Sequence, residues 1–337
     1  MKKFRVGVIG GGSIARVGHV PGYAAEPDYE LVAIADPNPD SLAKMRENFS
    51  FTREYADYRE MLKQEQLDLV SICLPNKFHA DAAIAAMAAG ADIILEKPVA
   101  LTEAEGAAIA AASRQYQKQI AVCFSYRFSA LVQAAKAAVE AGEIGNLYMI
   151  RVRFAHQGPI PGWATTDWFY DPELAGGGAV LDMGIHAIDL VRHLAGEITE
   201  VSAFAGTLRK PIKLEDNLVA IFRLAGPCFG YIESGWTSAA GFNGIELMGD
   251  KGEITVNYST NQTTVTTGTI HPDGTTAMTT RIIAENGESP WKIQMREFLA
   301  AYRDGRPLAP TIDDGVTALK IALAAYQASA TGKSVKF

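Results

Sequence analysis

The stretch FRVGVIGGGSIARVGHVPGYAAEPDYELVAIAD, residues 4–36, decides the fold. An apolar run containing Val6, Val8 and Ile9 meets Gly10-Gly11-Gly12-Ser13-Ile14-Ala15. A second apolar run, residues 31–35, ends at Asp36. The pattern is G-x-G-x-x-A between a strand and a helix, with an acid closing the next strand, and it predicts a dinucleotide-binding βαβ unit. Gly10 permits the tight turn off the strand. Gly12 leaves the backbone open to a pyrophosphate, and Ala15 lets the helix pack close to the sheet. Ser13 and Ile14 open that helix, whose free N–H groups and positive dipole end favour phosphate. Asp36 is placed to accept hydrogen bonds from a ribose diol. It would repel a 2′-phosphate, and no basic residue follows before Lys44, so NAD is favoured over NADP.

Working outward, 337 residues suggest two domains. Apolar content of 48% and charged content of 20% fit a soluble globular enzyme. A net charge of −7 argues against nucleic acid as a partner. The three cysteines, Cys73, Cys123 and Cys228, have neither metal-site nor disulfide-framework spacing. They fit a reducing, cytoplasmic setting, with Cys73 and Cys123 expected inside strands. No apolar stretch is read as approaching a membrane span.

Residues 1–123 alternate short apolar runs with Ala-rich or amphipathic stretches, the rhythm of a doubly wound parallel sheet. Strands are expected at 4–9, 30–35, 69–74, 92–95 and 120–124. Helices are expected at 13–25, 38–48, 58–64, 77–89 and 103–117. Pro21 should cut or kink the first helix. Thr102 and Glu105 should form a capping box on the last. From residue 124 to 337 consecutive β runs dominate: 147–154, 199–208, 216–224, 229–236, 243–249, 252–257, 262–268 and 278–284. They predict an α+β domain with a large, open, mostly antiparallel sheet. Helices are expected there at 129–141, 179–195, 290–303 and 313–330, with the C-terminal helix free to pack back on the first domain.

Three further constellations carry chemistry. Leu74-Pro75-Asn76-Lys77-Phe78-His79 follows one strand and Glu96-Lys97-Pro98 the next. In an open α/β sheet both lie on the ligand-binding edge beside the glycine loop. The third is Gly176-Gly177-Gly178, followed by Asp182, His186 and Asp189 at i, i+4 and i+7 on one helical face. A histidine suits proton abstraction from a hydroxyl near neutral pH. Lys97 can stabilise a developing alkoxide, and Asp182 can bind a substrate hydroxyl or orient the pair. A cis Lys97-Pro98 bond is expected, because the lysine must turn sharply off its strand. Asp189 and His193 extend the helical face and invite a zinc reading, but no water-activating step is needed and no metal is expected.

On these motifs, in this order and over essentially the whole length, the chain resembles the Gfo/Idh/MocA oxidoreductases, which include inositol dehydrogenases. The resemblance implies that Lys97, Asp182 and His186 meet at the nicotinamide. It implies a homodimer or homotetramer formed through the C-terminal sheet. On the cofactor side it points to Gly10, Gly12, Ser13, Ile14, Asp36, Leu74, Pro75, Asn76, His79, Glu96 and Lys97. For substrate it points to Asp182, His186 and the segment that holds Arg127, and the residues themselves add His156, Trp163 and Trp168. Arg127 follows the sixth strand, and His156 ends the first strand of the second sheet. The two tryptophans precede the glycine run, where aromatic faces suit sugars. Trp236 is expected in the core.

The expected activity is NAD-dependent hydride transfer from a secondary alcohol of a sugar, cyclitol or related polyol. A redox-assisted glycosidase in which NAD returns unchanged is the alternative. A dinucleotide-sensing regulator is less favoured, because Lys97 and His186 are both present.

Overall fold

The apolar runs of the N-terminal third pair side by side in the computed structural model, which describes residues 3–164, 166–270, 273–285 and 287–337. The chain divides into two units. One comprises residues 1–124, 164–176 and 291–319, the other residues 125–163, 177–290 and 320–337.

In the first unit six strands form one sheet: β1 (Phe4–Ile9), β2 (Tyr29–Ala35), β3 (Arg53–Tyr55), β4 (Leu69–Ile72), β5 (Asp92–Leu95) and β6 (Ile120–Val122). Their order is β3-β2-β1-β4-β5-β6 and every pairing is parallel. Strands covered on both faces need side chains that are apolar throughout, and all four residues of β4 are buried. The order reverses between β1 and β4, which opens the crevice where such sheets bind ligands. The short edge strand β3 was not anticipated, because ArgGluTyr carries no apolar pattern.

The expected break at Pro21 takes a different form. The chain stays helical from residue 13 to residue 25, but Ala15–His19 is a π-turn closed by Val20 N–H on the Ala15 carbonyl. Pro21 then sits at the start of the α-helical segment Val20–Ala25, where a missing N–H is tolerated. The Thr102 and Glu105 capping box forms as expected on Glu103–Tyr116.

In the second unit nine strands form one sheet: β7 (Leu147–Ala155), β8 (Ile198–Gly206), β9 (Asn217–Leu224), β10 (Phe229–Gly235), β11 (Gly244–Gly249), β12 (Gly252–Asn257), β13 (Gln262–Ile270), β14 (Thr276–Glu285) and β15 (Val335–Lys336). Their order is β14-β13-β12-β11-β7-β10-β9-β8-β15, antiparallel apart from the β7–β10 pair. Alternation sorts the two faces. Ile150, Val152 and Phe154 of β7 are buried, while Phe204, Val219, Ile221, Phe229 and Tyr231 are exposed. The helices Ala130–Glu140 and Ile185–Ala195 lie against this sheet.

One sequence expectation needs correction. Among the described residues the helical run Pro172–Ala195 is long and apolar enough to cross a membrane. Its apolarity serves packing, since 89% of the most apolar window is buried inside the protein.

Candidate active site

Gly10 adopts φ 94°, and a Cβ there would lie 2.4 Å from the Cys73 carbonyl oxygen, so the turn off β1 requires glycine. A Cβ on Gly12 would meet nothing within 4 Å. Protein packing therefore gives no reason for that glycine, and room for a ligand does. Ala15 is fully buried in the cluster with Val8, Ile34 and Cys73, and Ile14 packs against it, which draws the helix onto the sheet. Ser13 remains partly exposed at the helix start. Asp36 accepts from Gly11 N–H at 2.7 Å and from Asn38 N–H at 2.8 Å. It thus shapes the glycine loop, and its carboxylate keeps lone pairs for a ribose diol.

The ends of β4 and β5 lie beside that loop, because β4 pairs with both β1 and β5. Leu74 and Pro75 are partly exposed. Asn76 is buried and donates to the Ala175 carbonyl at 2.9 Å. His79 is fully buried, with Nδ1 2.6 Å from the Pro98 carbonyl and Nε2 2.8 Å from the Leu74 carbonyl. Burial holds its pKa below the usual value against the pull of those carbonyls. A neutral ring has one N–H, which goes to the closer carbonyl, that of Pro98. His79, expected on the cofactor side, thus donates to the backbone of the Lys97-Pro98 turn. Lys97-Pro98 is cis, as expected.

Glu96, also expected on the cofactor side, turns its carboxylate inward to a residue that the sequence did not single out. Oε1 lies 3.0 Å from His19 Nε2, and Oε2 accepts from Lys97 N–H at 3.2 Å. His19 is fully buried, its Nδ1 3.0 Å from Ser71 Oγ, which in turn meets Tyr23 OH at 2.8 Å. Burial would lower the His19 pKa, yet it ends well above 6.5, with the Glu96 carboxylate 3.0 Å from Nε2. Burial keeps both thiols protonated, Cys123 up to about 12, so the charge that holds the ring protonated is the Glu96 carboxylate. Burial would raise Glu96, but His19 and then Lys97 outweigh it and its pKa ends below 4.5.

The sign of the linkage follows. The raised His19 pKa contributes stability that is complete below its ordinary 6.5 and fades as pH rises through the higher folded value. The lowered Glu96 pKa contributes stability that is complete above 4.5 and is lost as pH falls through its lower folded value. His19→Gln keeps an N–H donor but cannot charge. The melting-temperature gap between wild type and His19→Gln should therefore be widest between the ordinary values of 4.5 and 6.5 and narrow on the alkaline side. A gap unchanged up to alkaline pH would mean that His19 is not paired as a cation.

In the second unit Gly177 and Gly178 build the start of the helical segment that carries Asp182 and His186. A Cβ on Gly178 would fall 2.0 Å from the Glu215 carbonyl oxygen, and one on Gly177 would fall 2.2 Å from Tyr326 OH. Glu215 Oε1 accepts from Gly178 N–H (2.8 Å), Val180 N–H (3.0 Å) and Tyr326 OH (2.8 Å), placing a carboxylate at the helix N-terminus. Val180–Gly184 is a π-turn and Ile185–Ala195 continues as α-helix. Asp182 lies inside the widened turn and His186 just beyond it, both buried. Trp236 is in the core as expected, and its indole N–H also donates to Asp182 Oδ2 at 3.0 Å. His156 Nδ1 accepts from Gly158 N–H at 2.8 Å. The neutral tautomer therefore carries its proton on Nε2, which faces Asp182 Oδ2 at 3.8 Å. The Tyr126 ring meets His186 edge-on at 5.0 Å. Burial, helped by the Asp182 charge, pushes the Tyr126 hydroxyl up to about 12 and keeps it protonated.

Arg127, expected to reach substrate, grips Asp189 with two hydrogen bonds, Nε to Oδ2 at 2.8 Å and an Nη to Oδ1 at 2.6 Å. It braces the helix one turn beyond His186. Trp163 is half exposed, and Trp168 stacks on Phe169 at 3.8 Å. Glu215 and Tyr126 were not anticipated as site residues. Tyr126 stood next to the quoted Arg127, and an aromatic at the end of a strand was the available signal.

The chain resembles known proteins over nearly its whole length. Residues 4–124 match the family model for the oxidoreductase family with NAD-binding Rossmann fold, and residues 132–255 match the GFO/IDH/MocA C-terminal domain. Levoglucosan dehydrogenase of Pseudarthrobacter phenanthrenivorans is 28% identical, over 94% of this chain and 93% of its own. Myo-inositol 2-dehydrogenase of Thermotoga maritima is 26% identical over 98% of each. Among solved structures, levoglucosan dehydrogenase in complex with NADH and levoglucosan superposes with a TM-score of 0.88 at 26% identity, over 99% of both chains.

Proposed function

The chain belongs to the GFO/IDH/MocA oxidoreductase family, and from that premise we propose that it oxidises a ring secondary alcohol of a sugar or cyclitol with NAD. The observation that carries the reading is the buried Asp182 and His186 pair on one helical segment, with Trp236 fixing the carboxylate. Relatives named for levoglucosan and myo-inositol support that substrate class.

NAD fits the residues of the first unit. The open space at Gly12 and the helix start at Ser13 would take the pyrophosphate. Asp36 would take the adenosine ribose, and Leu74-Pro75-Asn76 would line its path. When bound, NAD supplies a hydride acceptor in its nicotinamide ring. His186 takes the proton of the reacting hydroxyl, and Lys97 stabilises the alkoxide left behind. Asp182, held by Trp236, binds a substrate hydroxyl and keeps it oriented. Run in reverse, the same groups return the proton to a ketone.

Binding titrations test the cofactor assignment. NADH should bind tighter than NADPH by about tenfold, or about 1.4 kcal/mol. Asp36→Ser with Pro37→Arg should move the preference toward NADPH, and equal affinities in the wild type would defeat the role given to Asp36. We also propose that the exposed face of the nine-stranded sheet, with Phe204, Val219 and Ile221, joins copies of the chain into a dimer or tetramer. Light scattering should give at least twice the chain mass, and Phe204→Glu with Ile221→Lys should reduce it. A monomeric wild type would refute this.

A further inference from the structure

Two fully buried histidines stand behind the turn that carries Lys97, and no step of the reaction uses either one. His19 closes the π-turn that follows the glycine loop, and His79 opens the helix His79–Ala88 after β4. Between them they hold the turn at three points. His19 Nε2 fixes the Glu96 carboxylate at 3.0 Å, and that carboxylate fixes Lys97 N–H at 3.2 Å. His79 Nδ1 fixes the Pro98 carbonyl at 2.6 Å. The elements involved follow β1, β4 and β5, which are neighbours in the sheet.

We propose that His19 and His79 are positioning residues for Lys97, clamping the Glu96-Lys97-Pro98 turn to the helix that follows the glycine loop and to the end of β4. This rests on the reading of Lys97 as the group that stabilises the alkoxide. Lysine is a flexible four-carbon tether, so where its ammonium falls depends on how firmly its backbone is fixed. A misplacement of about 1 Å can cost about a hundredfold in rate. Turns at strand ends are among the looser parts of a fold, and a group used in catalysis there needs its supports built in. A buried carboxylate also requires a partner, and His19 provides one from 77 residues away. His19, Glu96 and Cys123 are donor types that a transition metal uses, and their ligand atoms lie within 4.8 Å of one another. The 3.0 Å His19–Glu96 separation is that of a direct hydrogen bond, so the donors close on each other as a clamp.

Kinetics of His19→Leu, His19→Gln, His19→Asn, His79→Leu and Lys97→Met test the proposal, with every rate divided by the number of NADH-binding sites found by fluorescence titration. His19→Leu and His79→Leu should lower kcat by about ten- to a hundredfold, while the Kd for NADH and the KM for substrate stay within about threefold. His19→Gln places an N–H donor near the position of Nε2 and should recover most of the lost kcat. His19→Asn places its donor near Nδ1 and should not. Wild-type kcat in His19→Leu, or equal losses in His19→Gln and His19→Asn, would overturn the clamp. If the leucine variants bind no NADH, the Gln–Asn comparison decides alone. Full turnover in Lys97→Met would instead overturn the role given to Lys97, an outcome separate from failure of the clamp.

Discussion

His186→Ala and Lys97→Ala are each expected to lower turnover by about a hundredfold to ten-thousandfold while NADH still binds. His186 is the base in the reaction as proposed, and it follows Asp182 by one helical turn. Lys97 follows β5, and in the reaction as proposed its loss removes the cation that stabilises the alkoxide while Gly12 and Asp36 remain to hold the dinucleotide. Steady-state rates on an identified substrate, with NADH fluorescence titration alongside, check both variants. A His186→Ala enzyme that keeps most of its turnover would mean that another group takes the proton. Loss of NADH binding in step with turnover would mean that the residue supports the cofactor and not the chemistry.

Arg127→Leu is expected to destabilise the protein by about 3–5 kcal/mol, because it takes a two-point guanidinium partner from a carboxylate that is only 1% exposed. Lysine should restore little, since its single ammonium cannot make the paired contact. Denaturant unfolding measures the loss, and the same samples give KM. If Arg127 bound substrate, as its place in the sequence suggested, KM would rise and stability would hardly change. The brace predicts the opposite order of effects. Arg127 also follows Tyr126, whose ring packs on His186, so slackening this segment should lower kcat as well.

Much of this molecule was legible in its sequence, and the parts that were not share a physical cause. The glycine loop, the acid at the end of β2 and the capping box on Glu103–Tyr116 are local patterns, and local patterns survive in sequence. So does the alternation of β7, whose Ile150, Val152 and Phe154 face inward. The two π-turns were not visible, because one extra residue in a helical turn barely changes an apolar periodicity. Partners far apart in the chain were not visible either. Glu96 reads as a motif residue facing the cofactor, yet its partner His19 lies 77 positions away. Arg127 reads as a cleft residue, and its pairing with Asp189, 62 positions on, leaves no local signal. Glu215 looks like an ordinary loop acid, but it supports the helix start with Tyr326, 111 positions further. The edge strands β3 and β15 are three and two residues long, too short for any period to register.

The central claim is net oxidation of a ring hydroxyl by NAD. The most direct measurement follows absorbance of NADH while the enzyme, with NAD in excess, is offered inositols, hexoses, pentoses, anhydrosugars and sugar acids in turn. The account predicts that at least one ring polyol yields NADH in a one-to-one ratio with a ketone product. It is contradicted if substrate is consumed with glycosidic cleavage and no net NADH, or if NAD binds and no member of the panel is oxidised.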